Sequence, residues 1–219
     1  MAGSLRRAVL WDLDGTLVDS EEHHWRAWRE TMAAEGVSLT REQFLASFGQ
    51  RNDAILREWL KERATAEAIR RIGDAKEARY RRLVRALGLA AAPGAAEWVR
   101  RLHEEHWAQA VASSAPRLNV ETVLEVTGLA PYFGATVAAE DVRHGKPDPE
   151  VFLVAAERLG VPPERCVVVE DAPAGIEAAR RAGMRTIGLS RGSCALAADL
   201  VVRSLEELPP GAFGMLLGS

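Results

Sequence analysis

Two carboxylates two residues apart, Asp12 and Asp14, stand directly after the apolar run Ala8-Val9-Leu10-Trp11 and before Gly15-Thr16. The run reads as a strand buried on both faces. Residues i and i+2 of a strand point the same way. Here the strand is ending, so both acids can turn toward one spot at its C-terminal mouth, where open α/β sheets bind ligands. Two close carboxylates resist ionising together. Either the pair shares a proton or a divalent cation neutralises it, and magnesium suits an all-oxygen site.

Three further groups follow runs of the same kind. Ser113 and Ser114 close a strand expected over 107–112. Lys146 lies in His144-Gly145-Lys146-Pro147-Asp148-Pro149, and Glu170-Asp171 ends a very apolar strand over 165–169. Each has an ordinary reading alone: a helix-capping serine pair, a solvated loop lysine, a capping acid before Ala172-Pro173. In a parallel sheet, however, all would gather as strand ends at one edge. Four carboxylates would then face one lysine. A substrate dianion added there leaves charge uncompensated in a low-dielectric site. Mg²⁺ between Asp12 and Asp171 removes most of that problem. Ser113 and backbone N–H groups could then hold phosphate oxygens, with Lys146 neutralising charge that develops in transfer.

The elements that position these groups fall into two patterns. From 20 to 90 the chain reads as all helix. Ser20 is the expected N-cap of a helix to about Glu35, with Glu21 and Glu22 in its first turn. Its spacing puts His24, Trp28 and Thr31 on one face and His23 elsewhere. Thr40-Arg41-Glu42-Gln43 is a capping-box pattern opening a short helix through Ser47. Helices over 52–63, striped by Ile55, Leu56, Trp59 and Leu60, and over 65–87 follow. After Ala91-Ala92-Pro93-Gly94 the pattern alternates. Helices are expected over 95–106, 116–128, 148–160 and 173–183, and strands over 135–138, 185–189 and 199–202 besides those named. The expected architecture is α/β: a doubly wound parallel sheet, residues 1–19 and 91–219, with an all-helical cap, 20–90, inserted after the first strand. Such a cap is expected to close over the sheet's C-terminal edge, hinged near 18–20 and 90–93.

Composition is ordinary for a soluble globular protein: 47% apolar and 27% charged residues. A net charge of −3 argues against a nucleic-acid binder driven by bulk charge. No apolar run approaches the ~18–20 residues of a membrane span, and 1–7 lacks the run of a signal peptide. A cytoplasmic monomer is expected. Cys166 and Cys194 sit in no metal-ligand spacing, and Cys166 reads as a buried strand residue rather than half of a disulfide.

Asp12-Leu13-Asp14-Gly15-Thr16, Ser113, Lys146 with its Pro-Asp-Pro, and Glu170-Asp171 resemble, in order, the four motifs of the haloacid dehalogenase superfamily, over residues 8 to about 203. The insertion after the first motif resembles the subgroup with a small helical cap. The resemblance implies a Rossmann-like fold, with Asp12 as nucleophile forming an aspartyl-phosphate and Asp14 as general acid then base. It implies Mg²⁺ on the Asp12 carboxylate, the Asp14 carbonyl and Asp171, with Glu170 a ligand directly or through water. Ser113 and Lys146 would hold the phosphoryl group, with Ser114 beside them. Dehalogenases of the superfamily lack an acid at the second position, so Asp14 favours phosphoryl transfer.

The stretch from Asp19 to Trp28 looks like the linker and first cap helix of β-phosphoglucomutase-like members. His24 and Lys76 fall where such mutases carry cap residues reaching the acid/base, and both, with Arg51, are candidate substrate contacts. Arg51 is out of register with the mutase's distal phosphate-binding arginine, and Thr16 departs from the apolar residue expected there. These departures favour a sugar-phosphate phosphatase acting on a small phosphorylated metabolite, with a phosphomutase as the alternative. A phosphorylation-responsive binding module is a third reading, opposed by the insertion and by Asp14. Against their functional readings, His24 can be a packed helix residue, Arg51 and Lys76 ordinary surface charges, and the tryptophans packing. His103, His106 and His144 read as surface residues.

Overall fold

A computed structural model of the protein describes residues 6–48, 50–190 and 196–218; Cys194 lies outside them. The chain divides into two compact units, Met1–Asp19 with Ala90–Ser219, and Ser20–Leu89. The helices in chain order are α1 (Glu21–Ala34), α2 (Arg41–Ser47), α3 (Asn52–Leu60) and α4 (Ala66–Leu87) in the inserted unit, then α5 (Ala95–Glu104), α6 (Arg117–Thr127), α7 (Glu150–Leu159) and α8 (Pro173–Arg181) in the other, with a short α9 (Ala212–Leu216) near its end.

The discontinuous unit is built on six strands: β1 (Ala8–Trp11), β2 (Ala108–Ala112), β3 (Ala135–Val137), β4 (Cys166–Glu170), β5 (Arg185–Leu189) and β6 (Leu200–Val202). All pair in parallel, in the order β3-β2-β1-β4-β5-β6. The chain works outward from β1 to β3, then returns to the other side of β1, which makes β1/β4 the switch point where doubly wound sheets open a crevice. β1 and the three valines of β4 are wholly buried, as parallel strands covered on both faces must be.

The two-residue alternation of β1 divides the core. Ala8 and Leu10 join Ala110, Ala112, Cys166 and Val168 in a cluster covered by α7 and α8. Trp11, on the other face, meets Phe213 of α9, which also touches Trp98 and Trp107. Three buried polar side chains there are paired: Trp11 Nε1 donates to Gln109 Oε1, Gln109 Nε2 to the Val99 carbonyl, and Trp98 Nε1 to the Leu205 carbonyl, whereas the buried Trp107 Nε1 has no hydrogen-bond partner among the described residues. Burial pushes the Cys166 thiol up to about 12, so it behaves as a small apolar residue.

The chain leaves and re-enters this unit at one place. Val18 bridges Ala91, and the Ala92 N–H donates to the Leu17 carbonyl. An insertion whose ends are already paired places little demand on its host.

In the inserted unit, Trp28, Met32, Phe44, Ile55, Leu56, Leu60 and Ile72 form the core. The capping box forms as its sequence requires: Thr40 Oγ1 accepts from the Gln43 N–H and Gln43 Oε1 accepts from the Thr40 N–H. Ser20 occupies the N-cap position of α1 but is buried and makes no side-chain capping bond. The helix expected over 52–63 leaves α geometry at Lys61, whose φ of 51° is left-handed. In the sheet unit, the helix expected from 148 begins at Glu150, whose N–H is taken by Asp148 Oδ1 instead of a backbone carbonyl.

One ion-pair network braces the loops beyond β2 and β3. Asp141 accepts from Arg117, from Arg158 and from the Ala138 N–H, while Glu140 takes the Arg117 N–H. Hydrogen bonding from Arg158 leads the effects that hold the Asp141 carboxyl down at about 2. A carboxyl depressed on folding stabilises above its unfolded value, roughly 3.9, and that contribution disappears as pH falls through about 2. Asp141→Asn is therefore expected to lower stability by about 1–2 kcal/mol at pH 7. Urea unfolding of both proteins at several pH values should show the difference closing between about pH 4 and pH 2; a constant difference would refute the assignment.

Candidate active site

Parallel register sets the site. Trp11 stands beside Val111 on one side and Val169 on the other. The next residues, Asp12, Ala112 and Glu170, therefore form a row across three adjacent strand ends. Lys146 Nζ addresses all three, donating to Asp12 Oδ1 at 2.5 Å, the Ala112 carbonyl at 3.2 Å and Glu170 Oε1 at 2.7 Å. The ammonium also lies 5.0 Å from the Phe152 ring centroid. Its side chain is only 8% exposed. Burial works against that charge, but attraction to Asp12 and Glu170 outweighs it and holds Lys146 above the ordinary lysine range. Burial also raises the proton affinity of Asp12, reinforced by Glu170 and Asp171 and opposed by Lys146.

Lys146 does not come from a strand end, as the sequence pattern suggested. β3 ends at Val137, and the lysine arrives nine residues later on the loop before α7. Glu150 Oε2 fixes that loop, accepting the N–H groups of Arg143 and His144, each at 2.9 Å. Sequence reading passed over Glu150; its place in the first turn after Pro149 was the available signal. His144, Asp148 and Glu150 bring ligand atoms within 4.8 Å of one another. The imidazole is exposed and Glu150 is occupied by the backbone, so the cluster acts as a loop clamp.

Ser113 is buried; its N–H donates to the Val137 carbonyl and its Oγ accepts from the Ala115 N–H. With that lone pair used, the hydroxyl hydrogen remains for an acceptor in the crevice. Ser114 is exposed. Asp14 is half-buried in the turn that Gly15 closes by donating to the Val18 carbonyl. Gly15 has a φ of +90°, and a Cβ there would lie 2.1 Å from Asp171 Oδ2. Only a glycine permits that approach of Asp171 to the first motif.

Glu170 is otherwise engaged. Its Oε1 faces Lys146, and its Oε2 accepts the Ala172 N–H at 2.6 Å. Of the strand-end acids on β4, Asp171 is the one pressed against the Asp12–Gly15 turn. The carboxylates of Asp12 and Asp171 lie within one field beside the Asp14–Gly15 turn, with an acid excess that Lys146 alone does not balance; these oxygen donors fit a hard divalent cation.

The remaining candidates lie in the helical unit. Lys76 is 3% exposed, not a surface charge: its Nζ contacts His24 Nδ1 at 3.0 Å and Glu77 Oε1 at 2.8 Å. His24 stacks on Tyr80, with centroids 4.0 Å apart. Asn52 also donates to Glu77. Burial opposes the Glu77 charge, but Lys76 and His24 overcome it and hold the carboxyl below its usual range. Arg51 is exposed and paired with Asp53 at 3.4 Å. His23 Nε2 contacts the Gly88 carbonyl at 2.9 Å. Among the described residues His103 and His106 join no His/Asp/Glu cluster, and His106 is exposed at a left-handed φ of 61°.

Residues 6–183 match the family model described as haloacid dehalogenase-like hydrolase. The chain is 34% identical over 190 residues to a fructose-1-phosphate phosphatase of Escherichia coli, covering 82% of this chain and 94% of that protein. It is 33% identical over 218 residues to the β-phosphoglucomutase of Bacillus subtilis, covering 92% and 91%. Among solved structures it is similar to CbbY from Rhodobacter sphaeroides in complex with phosphate, with a TM-score of 0.84, 31% identity, and coverage of 93% and 96%.

Removing the ammonium should expose what it compensates. Lys146→Ala leaves Asp12 and Glu170 buried without their shared cation. A loss of about 3–5 kcal/mol in urea unfolding at pH 7 is expected; a loss below about 1 kcal/mol would show that the bridge across the strand ends is incidental.

Proposed function

The chain belongs to the haloacid dehalogenase-like hydrolases and is a phosphoric monoester hydrolase, and from that premise we propose that it is a Mg²⁺-dependent phosphatase of a small sugar phosphate, working through an aspartyl-phosphate. The observation that carries the reading is the Asp12–Lys146 pair at the switch point, a nucleophile and a cation held together at a buried strand end. Lys146 holds Asp12 Oδ1, which leaves Oδ2 to attack phosphorus. The Ser113 hydroxyl and the ammonium hold phosphoryl oxygens, with Ser114 at the rim. Asp14 gives a proton to the departing alcohol, then takes one from the water that hydrolyses the acyl phosphate. Asp12 and Asp171 carboxylates and the Asp14 carbonyl are the proposed holders of Mg²⁺, which would supply positive charge to the phosphoryl oxygens; Glu170 supports Lys146 instead.

Release to water is favoured over return to substrate by Thr16 and by the position of Arg51, out of register with the distal phosphate-binding arginine of the mutases. The substrate class follows the relatives, whose names include a fructose-1-phosphate phosphatase and a phosphorylated-carbohydrate phosphatase. The assignment of His24, Arg51 and Lys76 to substrate contact is part of the same proposal; of these, Arg51 has its guanidinium exposed. No helix among the described residues is long and apolar enough to cross a membrane.

The test is a screen of sugar phosphates and p-nitrophenyl phosphate with Mg²⁺, scoring inorganic phosphate and isomer formation together. Phosphate release without added bisphosphate is expected. Asp12→Asn should abolish it, and Asp14→Asn should slow it by about 10²–10⁴-fold. Isomer formation that needs a bisphosphate would replace this reading with the phosphomutase. Full activity in Asp12→Asn would overturn the mechanism.

A further inference from the structure

We propose that Gly175, in the first turn of α8, is a positioning residue for the transfer site: its missing side chain is the space in which Glu170 folds back to hold Lys146. The kinetic consequence rests on the phosphatase reading; the geometric claim does not.

A Cβ at position 175 would lie 1.9 Å from Glu170 Oε1, 2.0 Å from its Cδ and 2.6 Å from its Cγ. No relaxation of the tip alone removes that overlap, because three consecutive atoms of the side chain are involved. Nor can the carboxylate swing aside freely. Glu170 is 1% exposed, its Oε1 accepts from Lys146 and its Oε2 from the Ala172 N–H. Moving away from position 175 breaks one of those bonds or both.

The backbone offers no other reason for the glycine. Gly175 lies within α8, in ordinary helical geometry, donating its N–H to the Ala172 carbonyl. Alanine is the better helix former there, and the sequence uses alanine at 172, 174, 178 and 179 around it. What glycine supplies at 175 is volume. Without that volume Glu170 is displaced, and Lys146 keeps Asp12 as its one carboxylate partner. The ammonium then draws toward the nucleophile and is misplaced for the phosphoryl oxygens.

The test is a double-mutant cycle with Glu170→Asp, whose side chain is one methylene shorter and stands back from position 175. Gly175→Ala is expected to lower kcat at least tenfold when introduced into the wild type and less than threefold when introduced into the Glu170→Asp variant, with KM moving less than kcat. The Ala172 amide should exchange its hydrogen at least tenfold faster in Gly175→Ala and recover in the double variant. A general packing defect would cost the same in both backgrounds and leave Ala172 no faster than its neighbours; either result overturns the proposal. Where Gly175→Ala does not fold, recovery of the folded state in the double variant supports it, and failure of both refutes it. A wild-type protein that releases no phosphate sinks the phosphatase reading alone, because Ala172 exchange still decides the geometry.

Discussion

One ammonium group joins three strand ends. Lys146 donates to Asp12 on the exit of β1, to the Ala112 carbonyl closing β2 and to Glu170 closing β4. These acceptors are level because parallel register makes them so. A buried carboxylate costs several kcal/mol unless paired, and this edge sets Asp12 in the field of both Glu170 and Asp171. The lysine makes that concentration tolerable in the folded chain. It also sets the site's polarity: one oxygen of Asp12 is committed, and the acid excess is left on the side of Asp171 and the Asp14 turn.

The precision of this arrangement comes from turns rather than from strands. Gly15, at positive φ, admits Asp171. Glu150 gathers the Arg143 and His144 N–H groups and thereby aims the loop that carries Lys146. Asp141 ties the start of the same loop to Arg117 and Arg158, and the Ala139 N–H donates to the Ala115 carbonyl, which joins it to the Ser113 segment. Carboxylates that touch no reacting atom thus fix the two loops that supply the serine and the lysine. A site on loops needs such restraint, since a loop has no ladder to hold it.

Much of this was legible in the chain itself. The apolar runs at 8–11 and 165–169 read as strands covered on both faces, and an acid following each put the candidate groups at one sheet edge. The Thr40–Gln43 box announced its helix because both partners are local. What failed was non-local or volumetric. Lys146 reads as a strand-end residue, yet it sits on a loop nine residues beyond β3, where no local pattern marks its element. Lys76 reads as a surface charge on an Arg-rich helix, and only the fold brings His24 and Glu77 to cover it. Ser20 has a capping residue's identity and position, yet it is buried and does not cap. For Glu170, which the resemblance implies as a ligand directly or through water, adjacency to Asp171 gave no sign of the two partners its oxygens have, Lys146 and the Ala172 N–H.

The same physical solution appears twice, once in each unit. Lys146 is buried against Asp12 and Glu170 and lies over Phe152. Lys76 is buried against Glu77 and His24 and lies over Trp28 and Tyr80. In each case an ammonium is kept out of water by a carboxylate and an aromatic face, an arrangement that fixes geometry more than it adds stability. The sheet unit can maintain its copy independently of the inserted helices, because Leu17 and Val18 pair with Ala91 and Ala92 before the chain departs and after it returns. The β1–β2 register, and with it the row formed by Asp12, Ala112 and Glu170, is therefore closed within the sheet unit.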